Sequence, residues 1–182
     1  KKSSKFITFP IPFNPKEIQD NLFTSSNKDN IDSQTKIINK ALTLHSQGNI
    51  LEAQKYYKEI IKKGIKDHIT FSNYGVILNN LGNLKEAELL YRKAIEIKPD
   101  FADAHTNLGN ILKKLGKLEE AELSMRKSIE LRSNFPMAHY NLGSILIDLG
   151  KLKEAEVSTR KAIELRPDFA DSYYNLGTIL SQ

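Results

Sequence analysis

One spacing constrains this chain more than anything else in it. The pair Leu108-Gly109 returns as Leu142-Gly143 and again as Leu176-Gly177, each time 34 residues on. The turn Leu-Gly-Lys-Leu at Leu115 to Leu118 returns at Leu149 to Leu152. A fixed period of this size means stacked copies of one supersecondary unit, none of which can bury its apolar face alone. Within the unit from Ala102 to Phe135, His105, Leu108, Gly109 and Leu112 fall at i, i+3, i+4 and i+7, the stripe of an amphipathic helix. A second stripe runs through Leu118, Ala121, Met125, Ser128 and Ile129. Gly116 lies between them and tolerates the positive φ that ends a helix. Each unit is therefore expected to be a helical hairpin, drawn close by Gly109, Ala121 and Ser128. Pro99-Asp100 and Pro167-Asp168 break one hairpin from the next, and Asp100 and Asp168 are expected to cap the helices that follow.

The unit resembles the tetratricopeptide repeat. That family places a bulky residue at position four, Leu-Gly at seven and eight, Ala at twenty, an aromatic at twenty-four, a small residue at twenty-seven and Pro at thirty-two. The second unit here supplies Phe71, Tyr74-Gly75, Ala87, Tyr91, Ala94 and Pro99, and the fourth supplies His139, Leu142-Gly143, Ala155, Ala162 and Pro167. Met125 and Thr159 replace the aromatic, Ser133 replaces Pro, and the first unit keeps only Ala41, Ala53 and Tyr57. The resemblance implies an all-α, right-handed α-solenoid. It has four repeats (34–67, 68–101, 102–135 and 136–169) and one extra helix in 170–182, preceded by an arm and linker in 1–33.

The arm lies outside the register. Phe6, Ile7, Phe9, Ile11 and Phe13 alternate with Thr8, Pro10 and Pro12, which excludes a helix and favours an extended strip. Asn14-Pro15 suits the start of a short helix through Leu22 or Phe23, and Thr24 to Ser33 reads as a polar linker. Two readings stand: a loose leader, or a self-docking arm carried by Phe6, Ile7, Phe9 and Phe13. At the other end the chain stops within a fifth unit and begins with Lys1 rather than Met, as a piece of a longer protein does. The stripe of Tyr173, Leu176, Gly177 and Leu180 lacks a second helix, so it is either a cap on the fourth hairpin or a surface for self-association.

Composition excludes several functions. The net charge of +5 is spread among helices rich in Glu, too mild and mixed for nucleic acid. The absence of cysteine removes disulfides and thiolate chemistry and fits a reducing cytoplasm. No run approaches the roughly 18 apolar residues of a membrane span. His45 and His68 have no second ligand at metal spacing, and His105 and His139 replace a core aromatic, so no metal site is expected. No phosphate loop, dinucleotide fingerprint or catalytic triad is present, so neither a cofactor nor a catalytic residue is assigned. The i, i+4 pairs Glu88–Arg92, Glu122–Arg126 and Glu156–Arg160 read as a solvated outer face.

What remains is a ladder of asparagines. Asn39, Asn73, Asn107, Asn141 and Asn175 recur at 34-residue steps, one in every unit. At about 100° per residue each lies about 200° from the bulky fourth position, away from the hairpin's internal contact. Asparagine costs roughly 0.5 kcal/mol in a helix interior against alanine. Its amide, however, can donate to and accept from an extended peptide backbone. Ile69, Asp103, Met137 and Asp171 share this face with Val76, Asn110, Ser144 and Thr178 and with Asn80, Lys114 and Asp148; Thr106, Tyr140 and Tyr174 flank it. The resemblance implies that first helices line a concave groove, and a similar asparagine ladder holds backbone in O-GlcNAc-transferase-like members. Asn110, Asp103, Tyr140 and Tyr174 therefore join the ladder as candidate peptide-binding residues. The other reading of the ladder is structural, with each amide bonding a neighbouring repeat. The face has no cluster of Lys and Arg to clamp a C-terminal carboxylate. The expected function is a protein–protein interaction scaffold that grips an extended segment of a protein or peptide partner. The alternative is the substrate-presenting part of a larger glycosyltransferase or sulfotransferase.

Overall fold

The structure, a computed structural model, describes residues 28–181, with side chains from residue 31. The arm residues Phe6, Ile7, Phe9, Ile11 and Phe13 and the short helix expected after Asn14 lie outside the described residues. Helix α1 spans Lys28–Ser46, α2 Ile50–Lys62, α3 His68–Asn80, α4 Leu84–Ile97, α5 Ala102–Lys114, α6 Leu118–Leu131, α7 Pro136–Asp148, α8 Leu152–Leu165 and α9 Ala170–Leu180. No strand occurs among the described residues. The protein is an all-α helical-repeat solenoid, and its helices fall into two compact units that meet in sequence between Ile97 and Lys98. In the first unit α1 packs on α2, α2 on α3 and α3 on α4. In the second, α5 packs on α6, α6 on α7, α7 on α8, and α9 on both α8 and α7.

The close approach within the second, third and fourth hairpins follows from glycine at one repeat position; the first hairpin has Ala41 there, opposite Tyr57. A Cβ on Gly75 would lie 2.8 Å from the Tyr91 ring, one on Gly109 2.8 Å from Met125 Cε, and one on Gly143 2.5 Å from Thr159 Oγ1. These partners occupy a single repeat position, and Tyr91, Met125 and Thr159 are all fully buried. In these three hairpins the second helix thus presses a side chain into the gap left by the missing Cβ. At the turn, Gly116 adopts φ +76°. The Lys117 N–H donates to the Leu112 carbonyl at 2.9 Å and the Gly116 N–H to the Lys113 carbonyl at 3.0 Å, the Schellman closure of the last turn of α5.

Three expectations need correction. Asp100 and Asp168 cap nothing. The residues preceding α5, α7 and α9 are Phe101, Phe135 and Phe169, and none makes a side-chain cap. The helix starts one residue later than an aspartate cap requires, because phenylalanine there gains more from packing than a carboxylate would from capping. Phe101 and Phe169 are buried, and the Arg132 and Arg166 guanidinium groups lie 3.8 and 3.6 Å from the Phe135 and Phe169 ring centres. Aspartate does cap one repeat, where Asp67 accepts from the Thr70 N–H at 2.7 Å. The linker reading fails for residues 28–33, which open α1. Asp32 suits the start of a helix, whose dipole favours acidic groups there.

The third correction concerns the Glu–Arg pairs. All three form, at 2.9, 2.9 and 2.8 Å, but Glu88 and Glu122 are largely buried at 11% side-chain exposure each. Glu122 also receives Lys151 from the turn before α8 at 2.7 Å, and Arg126 reaches on to Glu154. Burial opposes ionisation of Glu122, but bonds from Lys151 and Arg126 outweigh it and hold its carboxyl below the usual range. Around Glu122 and Arg126 the face is an ion-paired seam between successive hairpins, whereas Glu156–Arg160, at 35% and 58% side-chain exposure, is solvated as expected.

Position four turns out to be a latch. His105 Nε2 bonds the Pro99 carbonyl at 2.9 Å, His139 Nε2 bonds the Ser133 carbonyl at 2.8 Å, and the Tyr173 hydroxyl bonds the Pro167 carbonyl at 3.0 Å. A carbonyl only accepts, so each histidine carries its proton on Nε2. The polar tip ties the first helix to the turn that precedes it. The packing role expected for the two histidines becomes a turn-closing one.

Candidate functional site

Every ladder asparagine sits mid-way along a first helix. Asn73 is 2% exposed, Asn107 3%, Asn141 0% and Asn175 7%, while Asn39 is partly exposed. A wheel alone suggests amides in open water, whereas the structure holds four of the five out of solvent. Burial makes pairing decisive, because an unpaired buried amide atom costs about 1–3 kcal/mol.

In the first unit the pairing is structural at one rung. Asn73 hydrogen-bonds Tyr57, whose hydroxyl also lies 3.0 Å from His45 Nδ1. The Tyr57 and Tyr74 rings stack at 6.1 Å. Burial raises the Tyr57 hydroxyl well above the ordinary tyrosine range, and Asn73 partly offsets that. Desolvation lowers the His45 imidazole. This rung fastens one hairpin to the next.

The second unit differs. Both amide atoms of Asn110 and both of Asn141 are buried with no hydrogen-bond partner, as is Nδ2 of Asn175. Asn39 Oδ1, in the first unit, is in the same condition. Ser144, at the same repeat position as Asn110, is 7% exposed and receives Lys113 Nζ at 2.5 Å, and the same ammonium pairs with Asp148 at 3.0 Å. Burial pulls the Lys114 ammonium below its usual value.

Two other candidate residues are occupied elsewhere. Asp103 is paired with Arg132 at 2.5 Å. Tyr140 is 3% exposed, in a cluster with Met137, Ala162 and Phe169, its ring 4.9 Å from that of Phe169. Burial, with Asp171 nearby, pushes its hydroxyl up to about 12. Tyr174 is the opposite case, at 76% exposure. In α9 Ser172, Asn175 and Ile179 are buried, whereas Tyr173 and Leu180 stay half or more exposed. The helix therefore packs on the fourth hairpin by one face and leaves part of the expected apolar stripe open.

A separate open hollow of about 650 Å³ lies among Arg126, Ile129, His139, Leu142, Val157 and Arg160. None of the ladder residues lines it, and its chemistry is that of a charged rim around three apolar side chains. Among the described residues no three His, Asp or Glu side chains gather as metal ligands, and no helix is long and apolar enough to cross a membrane.

The repeat geometry agrees with comparisons to known proteins. The tetratricopeptide repeat family matches residues 37–62, 102–135 and 136–169, and a further match described as TPR repeat covers residues 75–116. No curated protein matches by sequence. Among solved structures, MamA 41-end from Desulfovibrio magneticus RS-1 aligns with TM-score 0.74 at 22% identity, over 82% of this chain and 85% of that one. YrrB, described as a TPR protein with an unusual peptide-binding site, aligns with TM-score 0.72 at 26% identity, over 80% of this chain and 75% of its own. The first TPR of Spaghetti (RPAP3), bound to an HSP90 peptide, aligns with TM-score 0.62 at 23% identity, over 63% of this chain and 90% of that one. The period, the glycine-gated hairpins and these matches together make this chain a member of the tetratricopeptide repeat family.

Proposed function

We propose that this chain is a protein-interaction scaffold whose first-helix face holds an extended segment of a protein partner. The observation that carries the reading is the pair of buried, unpartnered amides on Asn110 and Asn141. An extended backbone offers an N–H and a C=O at each residue, the complement of a carboxamide. Pairing these atoms would recover the desolvation that the free protein bears, so binding gains where folding loses. Grip on main chain rather than side chains suits a scaffold that accepts a segment by its conformation. Two structural relatives are described with bound or binding peptides, which supports a peptide partner for this fold.

The experiment is a peptide selection on the full chain, followed by affinity measurement on Asn110→Ala, Asn141→Ala and the double variant. Each lost amide forfeits about 0.5–1.5 kcal/mol per backbone bond, so the double variant is expected to bind roughly 10- to 100-fold more weakly. Melting should hold or rise, because alanine is the better helix former and the free amides are unpaired. Unchanged affinity with a markedly lower melting temperature would assign the ladder to structure alone.

A further inference from the structure

Arg132 and Arg166 occupy one repeat position and end with different partners. Each guanidinium lies over the phenylalanine three residues on, 3.8 Å from the Phe135 ring centre and 3.6 Å from that of Phe169. Stacking fixes the planar fork and leaves its edge to a carboxylate, which suits it with two parallel N–H bonds. For Arg132 that carboxylate is Asp103, the second residue of α5, which accepts from Nη2 at 2.5 Å and from Nη1 at 3.5 Å. The second residue of α7 is Met137, 3% exposed, and a thioether offers no such acceptor. Among the described residues no carboxylate pairs with Arg166. Asp171, near enough to raise the Tyr140 hydroxyl, is exposed and makes no ion pair with Arg166. The Arg166 side chain stands beside the asparagine ladder. Phe169, under the guanidinium, packs with Met137, Tyr140 and Ala162. Met137 lies one helical turn before Asn141, whose amide atoms are both unpartnered. Arg166 itself is only half-buried.

We propose that Arg166 takes its carboxylate from the bound segment: an aspartate or glutamate side chain of the partner fills the place that Asp103 fills on Arg132. The inference rests on the reading of the first-helix face as peptide-binding, and it adds the chemistry of one partner residue. The third hairpin is an internal example of the complex, with the same fork, a phenylalanine at the same position and the carboxylate in place. The fourth hairpin has the fork and the ring and lacks the acid. A carboxylate arriving there meets a donor already held by stacking, so little side-chain freedom is lost on binding. The amide of Asn141 suits any backbone, whereas Arg166 discriminates by charge. The two together let the scaffold read an extended conformation and one acidic position within it.

The test uses peptides selected on the full chain and synthesised with free and with amidated C-termini. Each acidic residue of a peptide is changed in turn to its amide. One such change is expected to weaken binding to wild type about 10- to 100-fold, as the loss of a charge-assisted bond does, and to cost less than about 2-fold on Arg166→Gln. Arg160→Gln, on an exposed outer-face pair, should discriminate as wild type does. Met137→Asp supplies an internal carboxylate in the manner of Asp103 and should abolish the preference while the neutral peptide binds as before. Should Met137→Asp lower the melting temperature, Arg166→Lys takes its place: it keeps the charge, loses the fork, and should discriminate less than wild type and more than Arg166→Gln. An equal cost of the amide change on wild type and Arg166→Gln, or selected peptides with no acidic requirement, overturns the inference and leaves the peptide-binding reading standing. Binding that needs a free C-terminus, with the side-chain changes silent, assigns the carboxylate to a chain end and overturns the side-chain assignment. If no peptide binds wild type, the peptide-binding reading has failed and this inference falls with it.

Discussion

Helices α7 and α9 carry nearly the same pattern and end in different situations. Tyr140 and Tyr174 share one repeat position, as do Asn141 and Asn175, and Gly143 and Gly177. Tyr140 is 3% exposed and Tyr174 76%. A Cβ at Gly143 would meet Thr159 at 2.5 Å, while one at Gly177 would meet nothing within 4 Å. The difference is the neighbours. Helix α7 has α8 against its glycine and α9 beyond it, whereas α9 touches only elements that precede it among the described residues. A repeat residue's burial is therefore a property of its place in the stack, and the same letter at the same register carries different energy in the two helices.

The largest expected contrast is between the two tyrosines. Tyr140→Ala empties a packed site and should cost about 3–5 kcal/mol, whereas Tyr174→Ala should stay within about 0.5 kcal/mol of wild type. Denaturant midpoints of the two variants measure it. Equal costs would mean that α9 is covered in solution by something the two-helix contrast leaves out.

The glycines come next. Gly143→Ala forces Thr159 aside and should destabilise by about 1–3 kcal/mol, lowering the melting temperature by roughly 2–4 °C per kcal/mol. Gly177→Ala adds a better helix former in open space and should stabilise by up to about 1 kcal/mol. Opposite signs in thermal melts are the prediction; a shared sign would break the comparison.

Alkaline titration sharpens it further. Tyr140 is held protonated to about 12 in the folded chain, above the ordinary tyrosine value near 10. Between those values the folded state binds the extra proton, so stability is full below about 10 and falls as pH rises to about 12. Tyr140→Phe should flatten that part of the curve, which urea melts at stepped pH would show. An unchanged slope would mean that Tyr140 ionises freely when folded.

The smallest contrast lies in the ion pairs. Glu122 is 11% exposed and held by two cations from its own and the next hairpin, while Glu156 is 35% exposed and held by Arg160 alone. Glu122→Gln should cost about 1 kcal/mol and Glu156→Gln close to nothing. Because the Glu122 carboxyl is held low, its contribution is present above the ordinary carboxylate pKa and is lost as pH falls through the folded value. The gap between wild type and Glu122→Gln should close in acid; a gap that persists there would assign the effect to packing.

Much of this is legible in the residues alone. The 34-residue step places each hairpin, since local periodicity alone decides where a helix can run. The positive φ of Gly116 and the gap at Gly109 follow from glycine's missing Cβ, and the i, i+4 pairs follow from helix geometry. All of these features are set within a turn or two of chain. The rest was decided by neighbours far along the sequence. Phe101 and Phe169, rather than Asp100 and Asp168, stand at the helix starts because an aromatic there finds a packing surface only after hairpins stack. Glu122 left solvent because Lys151, 29 residues on, came to it. The ladder asparagines share one register, yet Asn73 bonds Tyr57 while Asn141 keeps both amide atoms unpaired. No helix wheel separates those two, because a wheel knows the angle of a side chain and not what stands opposite it.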